Sequence, residues 1–322
     1  MNIAVQKRLK ILTCTHHVKL AENVAERLDV SLSPVKLTRF ANGEIHCQIE
    51  ESVRGADVFI MQTHSYPTSD AIMEQAIIID SAKRASARHI TAVCPFLGYA
   101  RQDRKSSGRE PISAKLVIDI LKVAGADRIV SIDLHSGQIQ GFFDGPFDHL
   151  IAMPVLVDYL KKERGSDCVI VSPDAGRVKL SERYVSRLGA DLAIVHKRRK
   201  TKGNEADALH LIGEVKGRHC VIIDDMIDGA GTMCAAAEQL KRHGAASVSA
   251  LATHGLFSPP AADRLKRSAI DSLAVTDTLP LAIKLTKPKL EVVSVVGLIA
   301  DAVAAIFEER SVSALFDGEN QT

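Results

Sequence analysis

Short apolar runs alternate with longer stretches of helical periodicity along most of the chain. The runs at 57–62, 90–94 and 220–223 are rich in β-branched residues and suit strands buried in a parallel sheet. Between the runs, apolar residues recur every three or four positions, as over 18–28 and 112–124, which predicts amphipathic helices. Alternating strands and helices predict an α/β protein with mostly parallel sheets and helices on both faces.

The strand pattern occurs twice, which indicates two similar halves. Segments 128–135 and 219–226 are both apolar strands that end in acidic residues, but a glycine-rich turn follows only the second. A chain of 322 residues is long enough for two hydrophobic cores. We therefore predict one α/β domain over 1–150 and a second over 151–304, with a C-terminal helix at 305–316 packing back on the first.

Composition and charge exclude several classes of protein. Lys and Arg number 41 against 39 Asp and Glu, a net charge of +2, which gives no case for a nucleic-acid-binding protein. The first residues lack a signal-peptide pattern. The most apolar stretch, 292–307, is short for a membrane span and contains Asp301, so a buried helix is predicted there. The six cysteines form no CxxC motif, so we expect reduced thiols in a cytoplasmic protein without membrane partners.

The candidate chemistry centres on 220–243, where a strand leads through an acidic, glycine-rich turn at 224–231 into a helix. Backbone N–H groups at such a turn and at the helix N-terminus bind phosphate. Asp224, Asp225 and Asp228 would repel a phosphate alone, but their carboxylates accept hydrogen bonds from the hydroxyls of a sugar phosphate, or bind a metal. A surface turn in which Asp and Gly serve only turn chemistry is the alternative. Because the acids lie so close to the glycines, we favour the sugar-phosphate site.

Two loops carry groups that suit a nucleotide. Residues 40–44 (FANGE) predict a turn in which Asn-Gly supplies positive φ, and a plain hairpin turn is the default interpretation. Residues 98–105 (GYARQDRK) follow a strand and cluster three cations with an amide and a carboxylate. A solvated charge run is the usual explanation, but the same groups suit phosphates and a purine edge.

Two further motifs follow strands, and a third opens a polar loop. His135 in DLH and Asp174 in SPDAG offer an imidazole nitrogen and carboxylate oxygens to a hard cation such as Mg²⁺. A lone histidine is more often a structural hydrogen-bond partner. The basic run 196–200 (HKRRK) precedes the polar stretch 201–207, which predicts either an exposed loop or a lid that brings cations over a polyphosphate. The concentration of positive charge favours the lid.

Taken together, these motifs resemble those of the phosphate-activated class I ribose-phosphate pyrophosphokinases. The central turn alone is similar to the phosphoribosyl pyrophosphate loop that this family shares with phosphoribosyltransferases, which lack most of the other motifs. The resemblance extends over about 13–316, and the motifs occur in the family's order: FANGE, IEESVRG, GYARQDRK, REPISAKL, DLHSGQIQGFFD, VSPDAG, HKRR and IIDDMIDGAGT.

The resemblance implies a duplicated phosphoribosyltransferase-like fold. It also implies an enzyme of nucleotide biosynthesis that transfers the diphosphoryl group of ATP to the anomeric hydroxyl of ribose 5-phosphate, giving phosphoribosyl pyrophosphate and AMP. Dimers would assemble to a hexamer, with phosphate as activator and ADP as inhibitor. The residues that the resemblance assigns are Phe40, Asn42, Glu44, Arg101 and Gln102 for ATP; Asp224, Asp225, Asp228, Gly229, Ala230, Gly231 and Thr232 for ribose 5-phosphate; His135 and Asp174 for Mg²⁺; and Lys197 and Arg199 for catalysis.

The sequence departs from the family's pattern at several positions. Gly229 stands where the family usually has Thr, which removes one hydroxyl from the 5-phosphate cradle and predicts weaker affinity for ribose 5-phosphate. Arg177 stands where the family more often has Gly, and either adds a phosphate contact or obstructs one. Gln75 and Ala76 replace larger apolar residues.

Two alternatives to the active enzyme follow from these departures and from the central turn. The first is a catalytically weak paralogue that acts as a regulatory or structural subunit; the presence of Lys197, Arg199 and the acids of the turn favours the enzyme instead. The second is a phosphoribosyltransferase, which accounts for the central turn but leaves 40–44 and 98–105 unexplained.

Overall fold

The structure is a computed structural model, and it describes residues 7–165, 167–198, 208–281 and 283–316. Contacts between Cα atoms divide these residues into two compact units. The first unit runs to Ile151 and also contains Thr278–Pro280 and the described residues from Val295 onward. The second unit contains the described residues of Ala152–Asp277 and Leu281–Ser294.

A parallel sheet forms the centre of the first unit. Its elements up to residue 150 are β1 (Leu9–Thr13), α1 (Val18–Arg27), β2 (Val35–Arg39), β3 (Ile45–Ile49), β4 (Asp57–Met61), α2 (Thr68–Arg84), β5 (His89–Cys94), α3 (Ser113–Ala124), β6 (Arg128–Ile132) and β7 (Phe147–Leu150). Five strands pair in parallel in the order β1-β4-β5-β6-β7, while β2 and β3 form an antiparallel hairpin. Every residue of β4 is buried, as expected for a strand covered on both faces.

A larger sheet forms the centre of the second unit. Its elements are α4 (Met153–Arg164), β8 (Val169–Ser172), α5 (Val178–Leu188), β9 (Asp191–Arg198), β10 (Ala208–Ile212), β11 (His219–Ile227), α6 (Gly231–Arg242), β12 (Ser247–Gly255), α7 (Ala261–Arg267), β13 (Ser272–Thr276) and β14 (Lys289–Val293). The strand order is β10-β9-β8-β11-β12-β13-β14, and β10 runs antiparallel to β9 whereas the other pairs are parallel. Strand β11 is thus central, and ligands of such sheets gather at the carboxyl ends of the strands.

The last helix, α8 (Val296–Phe307), belongs to the first unit and packs against α1. Arg27 of α1 lies 3.9 Å from the carboxylate of Asp301. The predicted division had assigned the helix up to residue 304 to the second domain, but the contacts place all of it in the first unit. Among the residues that the structure describes, no helix is long and apolar enough to cross a membrane.

The predicted fold class is confirmed, because both units contain a largely parallel sheet with helices between its strands. Four strands were not predicted: β2, β7, β10 and β14. The apolar stretch 292–307 was predicted to be one helix, but its first two residues belong to β14 and the helix begins at Val296.

The turn predicted at 224–231 is shorter than expected. Strand β11 continues to Ile227, because Asp224 and Ile227 remain paired with Ala252 and Gly255 of β12. The two adjacent acids therefore lie on a strand within the sheet, and the loop proper is confined to 228–230.

Candidate active site

Asp224 and Asp225 lie near the carboxyl end of β11, where Arg177 bridges their side chains. Nε of Arg177 lies 3.0 Å from Oδ1 of Asp224, and Nη2 lies 2.8 Å from Oδ1 of Asp225. The backbone N–H of Asp225 also donates to Oδ1 of Asp224, at 2.8 Å. The guanidinium therefore pairs with both acids, and the expectation that it contacts or obstructs a phosphate stays a prediction.

The surroundings of this acid pair disfavour ionisation unless hydrogen-bond donors or cations lie beside it. Burial raises the pKa of Asp224 to about 8, and the hydrogen bond to Asp225 and the charge of Asp225 act in the same direction. The charge of Arg177 and the N–H of Asp225 oppose this rise. Two shielded carboxylates side by side are stabilised by any further donor or positive charge, and the hydroxyls of a sugar are such donors.

The loop after β11 has the backbone geometry of a phosphate cradle. Ala230 adopts the left-handed conformation, with φ 58°, and α6 begins at Gly231. Thr232 is exposed in the first turn of that helix. The first N–H groups of a helix have no partner within the helix, so they are available to an anion at this end.

Arg264 of α7 lies against the loop and hydrogen-bonds to its backbone. Its Nη1 donates to the carbonyl oxygen of Gly229 at 2.8 Å. A Cβ atom built on Gly229 would lie 3.2 Å from Nη1, and one built on Gly231 would lie 3.4 Å from it. This cation beside the loop was missed at the sequence level, because α7 follows the loop by some thirty residues and its arginine resembles an ordinary surface charge.

The motif SPDAG presents its acid at the end of β8, the strand next to β11. Asp174 caps a short 3-10 helix, Ala175–Arg177, by accepting a hydrogen bond from Gly176 N–H at 2.8 Å. Ser172 Oγ donates to the carbonyl oxygen of Asp174 at 2.7 Å. The same turn therefore carries the predicted metal ligand at its start and Arg177 at its end.

The predicted catalytic pair lies at the border of the described chain. Lys197 belongs to β9, and its backbone is paired opposite Leu209 of β10. Arg199 lies outside the described residues, as does 201–207 of the predicted lid. Both catalytic assignments stay predictions.

In the first unit, residues 40–44 connect β2 to β3, which confirms the predicted turn. Gly43 has a φ of 90°, and its N–H donates to the carbonyl oxygen of Phe40 at 2.8 Å. Phe40 is 56% exposed, and its ring lies in an edge-to-face arrangement with that of His46, with 5.6 Å between ring centroids. Asn42 and Glu44 are exposed beside it. The tip of the hairpin thus presents an aromatic face that suits a flat ligand.

The first half of the loop 98–105 is fixed by hydrogen bonds at Gln102 and at Gly98. Gln102 accepts from Ser113 Oγ at 2.8 Å through Oε1, and its carbonyl oxygen accepts from Ala114 N–H at 3.1 Å. At the other end, Gly98 N–H donates to Nδ1 of the buried His64 at 3.0 Å. Arg101 lies between these anchors, and both Arg101 and Gln102 are exposed, as a ligand contact requires.

His64 is held in one tautomer by Gln75. Because Nδ1 accepts from Gly98, Nε2 carries the proton and donates to Oε1 of Gln75 at 2.8 Å. Nε2 of Gln75 donates to the carbonyl oxygen of Ile60 at 3.0 Å. Burial lowers the pKa of His64 to about 4. Gln75 had drawn attention only as a departure from an apolar pattern, and its role as the hydrogen-bonding centre of this group was missed.

His135 follows β6 at a bend of unusual backbone geometry. Asp133 has a φ of 39°, and Leu134 N–H donates to Nε2 of His149 at 2.9 Å. The ring of His135 is half-buried. His135 belongs to the first unit and Asp174 to the second, so their joint binding of a cation stays a prediction.

Comparison with known proteins identifies the family. The model for the N-terminal domain of ribose phosphate pyrophosphokinase matches residues 9–125, and that for the phosphoribosyl synthetase-associated domain matches 201–317. The curated ribose-phosphate pyrophosphokinase of Streptomyces coelicolor is 53% identical over 314 residues, which cover 97% of each chain. The chain belongs to the ribose-phosphate pyrophosphokinase family. The relative from Mycobacterium leprae, which carries the same name, is 48% identical over 98% of this chain and 97% of its own.

A solved structure gives the same result for the fold of this pyrophosphokinase. The crystal structure of phosphoribosylpyrophosphate synthetase from Mycobacterium smegmatis matches with a TM-score of 0.88 and 46% identity, covering 94% of this chain and 99% of that one. The resemblance inferred from the motifs is therefore confirmed, and with it the prediction of an enzyme of this type. A phosphoribosyltransferase, the alternative suggested by the central turn, is a different family.

Proposed function

We propose that the chain transfers the diphosphoryl group of ATP to O1 of ribose 5-phosphate through a site centred on the carboxyl end of β11. The observation that carries this proposal is the arrangement of one acid pair, the guanidinium of Arg177 and one helix N-terminus around the carboxyl end of β11. In this site Asp224 and Asp225 accept hydrogen bonds from the sugar hydroxyls. Asp228, Gly229, Ala230, Gly231 and Thr232 enclose the 5-phosphate.

The reaction needs positioning and positive charge more than a covalent nucleophile. The anomeric oxygen attacks Pβ of ATP, the bond between Pβ and the oxygen that bridges to Pα breaks, and AMP leaves. The hydroxyl proton passes to solvent. Lys197 and Arg199 stabilise the negative charge that develops on the transferred group.

ATP is held by residues of the first unit. Phe40 stacks on the adenine ring, and Asn42 and Glu44 provide polar contacts beside it. Arg101 and Gln102, on the anchored loop, contact the nucleotide and its phosphates, a geometry that arginine suits through its planar set of donors.

The family implies a divalent cation, and the residues present fit one. Asp174 uses Oδ1 for a hydrogen bond from Gly176, and an ionised carboxylate has about four acceptor positions, so capacity for an oxygen–metal bond remains. We assign Mg²⁺ to Asp174 and His135. Bound Mg²⁺ would neutralise charge on the triphosphate during transfer.

The remaining assignments concern the assembly and its setting. We propose a homo-oligomer of dimers that assemble to a hexamer, activated by phosphate and inhibited by ADP. All six cysteines are free thiols, and five of them are buried, which fits a reducing compartment and supports a cytoplasmic location.

The test is AMP formation by purified protein from ATP and Mg²⁺, with and without ribose 5-phosphate, followed alongside phosphoribosyl pyrophosphate. AMP that forms only with ribose 5-phosphate, in equal amount to phosphoribosyl pyrophosphate, supports the proposal, and repetition with added phosphate tests the regulation. Protein that binds ATP but forms no AMP would instead indicate a regulatory subunit. Pyrophosphate release from phosphoribosyl pyrophosphate and a nucleobase would indicate a phosphoribosyltransferase.

A further inference from the structure

Arg177 forms an ion-pair group in the second unit that is well shielded from water. Its side chain is 20% exposed, and the side chains of Asp224 and Asp225 are 15% and 6% exposed. Ion pairs so shielded from water are screened little by salt, unlike those at an open surface. Removal of one partner from such a group leaves the others as poorly compensated charges.

The guanidinium acts on the orientation of the acids as well as on their charge. Two different nitrogens of one rigid, planar group contact two different carboxylates, so the side chains of both acids are fixed relative to each other. Oδ1 of Asp224 accepts from both Arg177 and Asp225 N–H, which restricts its rotation further. A carboxyl group has two oxygens, so Asp224 retains hydrogen-bonding capacity for a ligand hydroxyl.

The pair would behave differently without the guanidinium. Burial and the neighbouring Asp225 both raise the pKa of Asp224, and the charge of Arg177 opposes them. Without Arg177 the two carboxyl groups would lose the group that fixes their relative orientation and the charge that compensates them. Their hydrogen bonds to sugar hydroxyls would then weaken, whereas the contacts of the loop to the 5-phosphate would not depend on Arg177.

We propose that Arg177 is a positioning residue that determines sugar specificity: it holds Asp224 and Asp225 as an oriented pair of acceptors for the two neighbouring ring hydroxyls of ribose 5-phosphate. This inference rests on the proposed function, since it assumes that the acid pair binds the sugar. It assigns to Arg177 the discrimination between ribose 5-phosphate and a pentose phosphate that lacks one of these hydroxyls.

The experiment compares ribose 5-phosphate with 2-deoxyribose 5-phosphate as substrates of the full-length protein. Arg177→Met should raise the KM for ribose 5-phosphate by about tenfold or more, the equivalent of one charge-assisted hydrogen bond, and should leave the KM for ATP within about twofold. The ratio of kcat/KM for ribose 5-phosphate to kcat/KM for 2-deoxyribose 5-phosphate should also fall by about tenfold. A purely structural role would not change this ratio.

Two further variants complete the design. Lys179→Met removes an exposed cation two residues along the same chain segment and should leave both sugars unaffected. Arg177→Lys keeps a positive charge but not the planar set of donors, so it should still lose most of the discrimination. If Arg177→Met does not fold, the sugar discrimination of Arg177→Lys tests the proposal.

The outcomes separate this inference from the function on which it rests. If the wild-type protein forms no phosphoribosyl pyrophosphate, the proposed function fails. If the wild type is active but accepts both sugars equally, or if Arg177→Met or Arg177→Lys keeps the wild-type ratio, the role assigned to Arg177 is wrong while the function stands.

Discussion

Gly229 and Arg264 form a coupled pair at the phosphate loop. The glycine leaves room for the guanidinium, which donates to its carbonyl oxygen at 2.8 Å, and an added Cβ would approach Nη1 to 3.2 Å. A threonine side chain at this position would therefore crowd the guanidinium of Arg264. A cation thus lies beside the loop to which the proposed function assigns the 5-phosphate.

We predict that the effect of Gly229→Thr depends on residue 264. In an Arg264→Ala background, threonine should lower the KM for ribose 5-phosphate by about tenfold or more, because its hydroxyl adds a hydrogen bond to a charged group. In the wild-type background the gain should be smaller, because the new side chain displaces the guanidinium. Steady-state kinetics of the four proteins form a double-mutant cycle. Equal effects of Gly229→Thr in both backgrounds would show that the two residues are independent.

His64 makes the stability of the first unit depend on pH. Burial lowers its pKa in the folded protein to about 4, against an ordinary value of about 6.5. Between these two pKa values, His64 is therefore protonated in the unfolded chain and neutral in the folded chain. The contribution of neutral His64 to the free energy of unfolding is fully present above the unfolded pKa. It is lost as the pH falls from about 6.5 towards 4.

The wild-type free energy of unfolding should thus fall between about pH 7 and pH 4 by roughly 3 kcal/mol more than that of His64→Gln. Urea unfolding at a series of pH values measures this difference. His243→Gln, at the exposed end of α6, is the control and should follow the wild type. Parallel curves for wild type and His64→Gln would contradict the assignment of this pH dependence to His64.

At the scale of elements, the loop 98–105 begins at Gly98, which packs closely against Thr68 and His64. A Cβ atom on Gly98 would lie 2.6 Å from Cγ2 of Thr68 and 2.9 Å from Cβ of His64. Both distances are shorter than carbon atoms tolerate, so even a methyl group must displace the loop or the buried histidine.

We therefore predict that Gly98→Ala destabilises the protein by about 1–3 kcal/mol and raises the KM for ATP, with little effect on the KM for ribose 5-phosphate. Gly108→Ala is a matched control, since a Cβ atom there meets nothing within 4 Å. Thermal unfolding and kinetics with each substrate varied in turn give both results. A change confined to ribose 5-phosphate would separate this loop from the nucleotide site.

Elements with a strong local pattern could be predicted from sequence, and those defined by pairing could not. The buried run of β4 and the amphipathic helix α1 are recognisable from periodicity alone. Strand β7 has only four residues, of which Asp148 and His149 are polar, so its identity as a strand depends on pairing with β6. The extension of β11 through its acids likewise depends on β12.

The same limit applies to the site. The sequence predicts Asp224, Asp225 and the loop after them, because acids and glycines are adjacent in the chain. Their partners Arg177 and Arg264 are distant in sequence, and only the fold brings them to the end of β11. Long-range ion pairs of this kind leave no local signal in a single sequence.

At the scale of the whole molecule, the exposed aromatic hairpin belongs to the first unit and the acid pair to the second. Phe40 is 56% exposed at the end of the β2–β3 turn. We propose that Phe40 contacts the adenine bound at the acid pair of a neighbouring subunit, which makes a test at this scale possible.

We predict that two inactive variants restore each other in mixed oligomers. Phe40→Ala combined with Glu44→Ala removes the adenine contacts, and Asp224→Asn combined with Asp225→Asn removes the sugar contacts. If each site takes its hairpin from one subunit and its acids from another, random assembly in equal amounts leaves about a quarter of the sites intact. Co-expression with two affinity tags, purification of the mixed species and assay of AMP formation measure this fraction. Activity no higher than that of either parent would place the hairpin and the acid pair of each site on the same subunit, since every site would then carry one of the two defects.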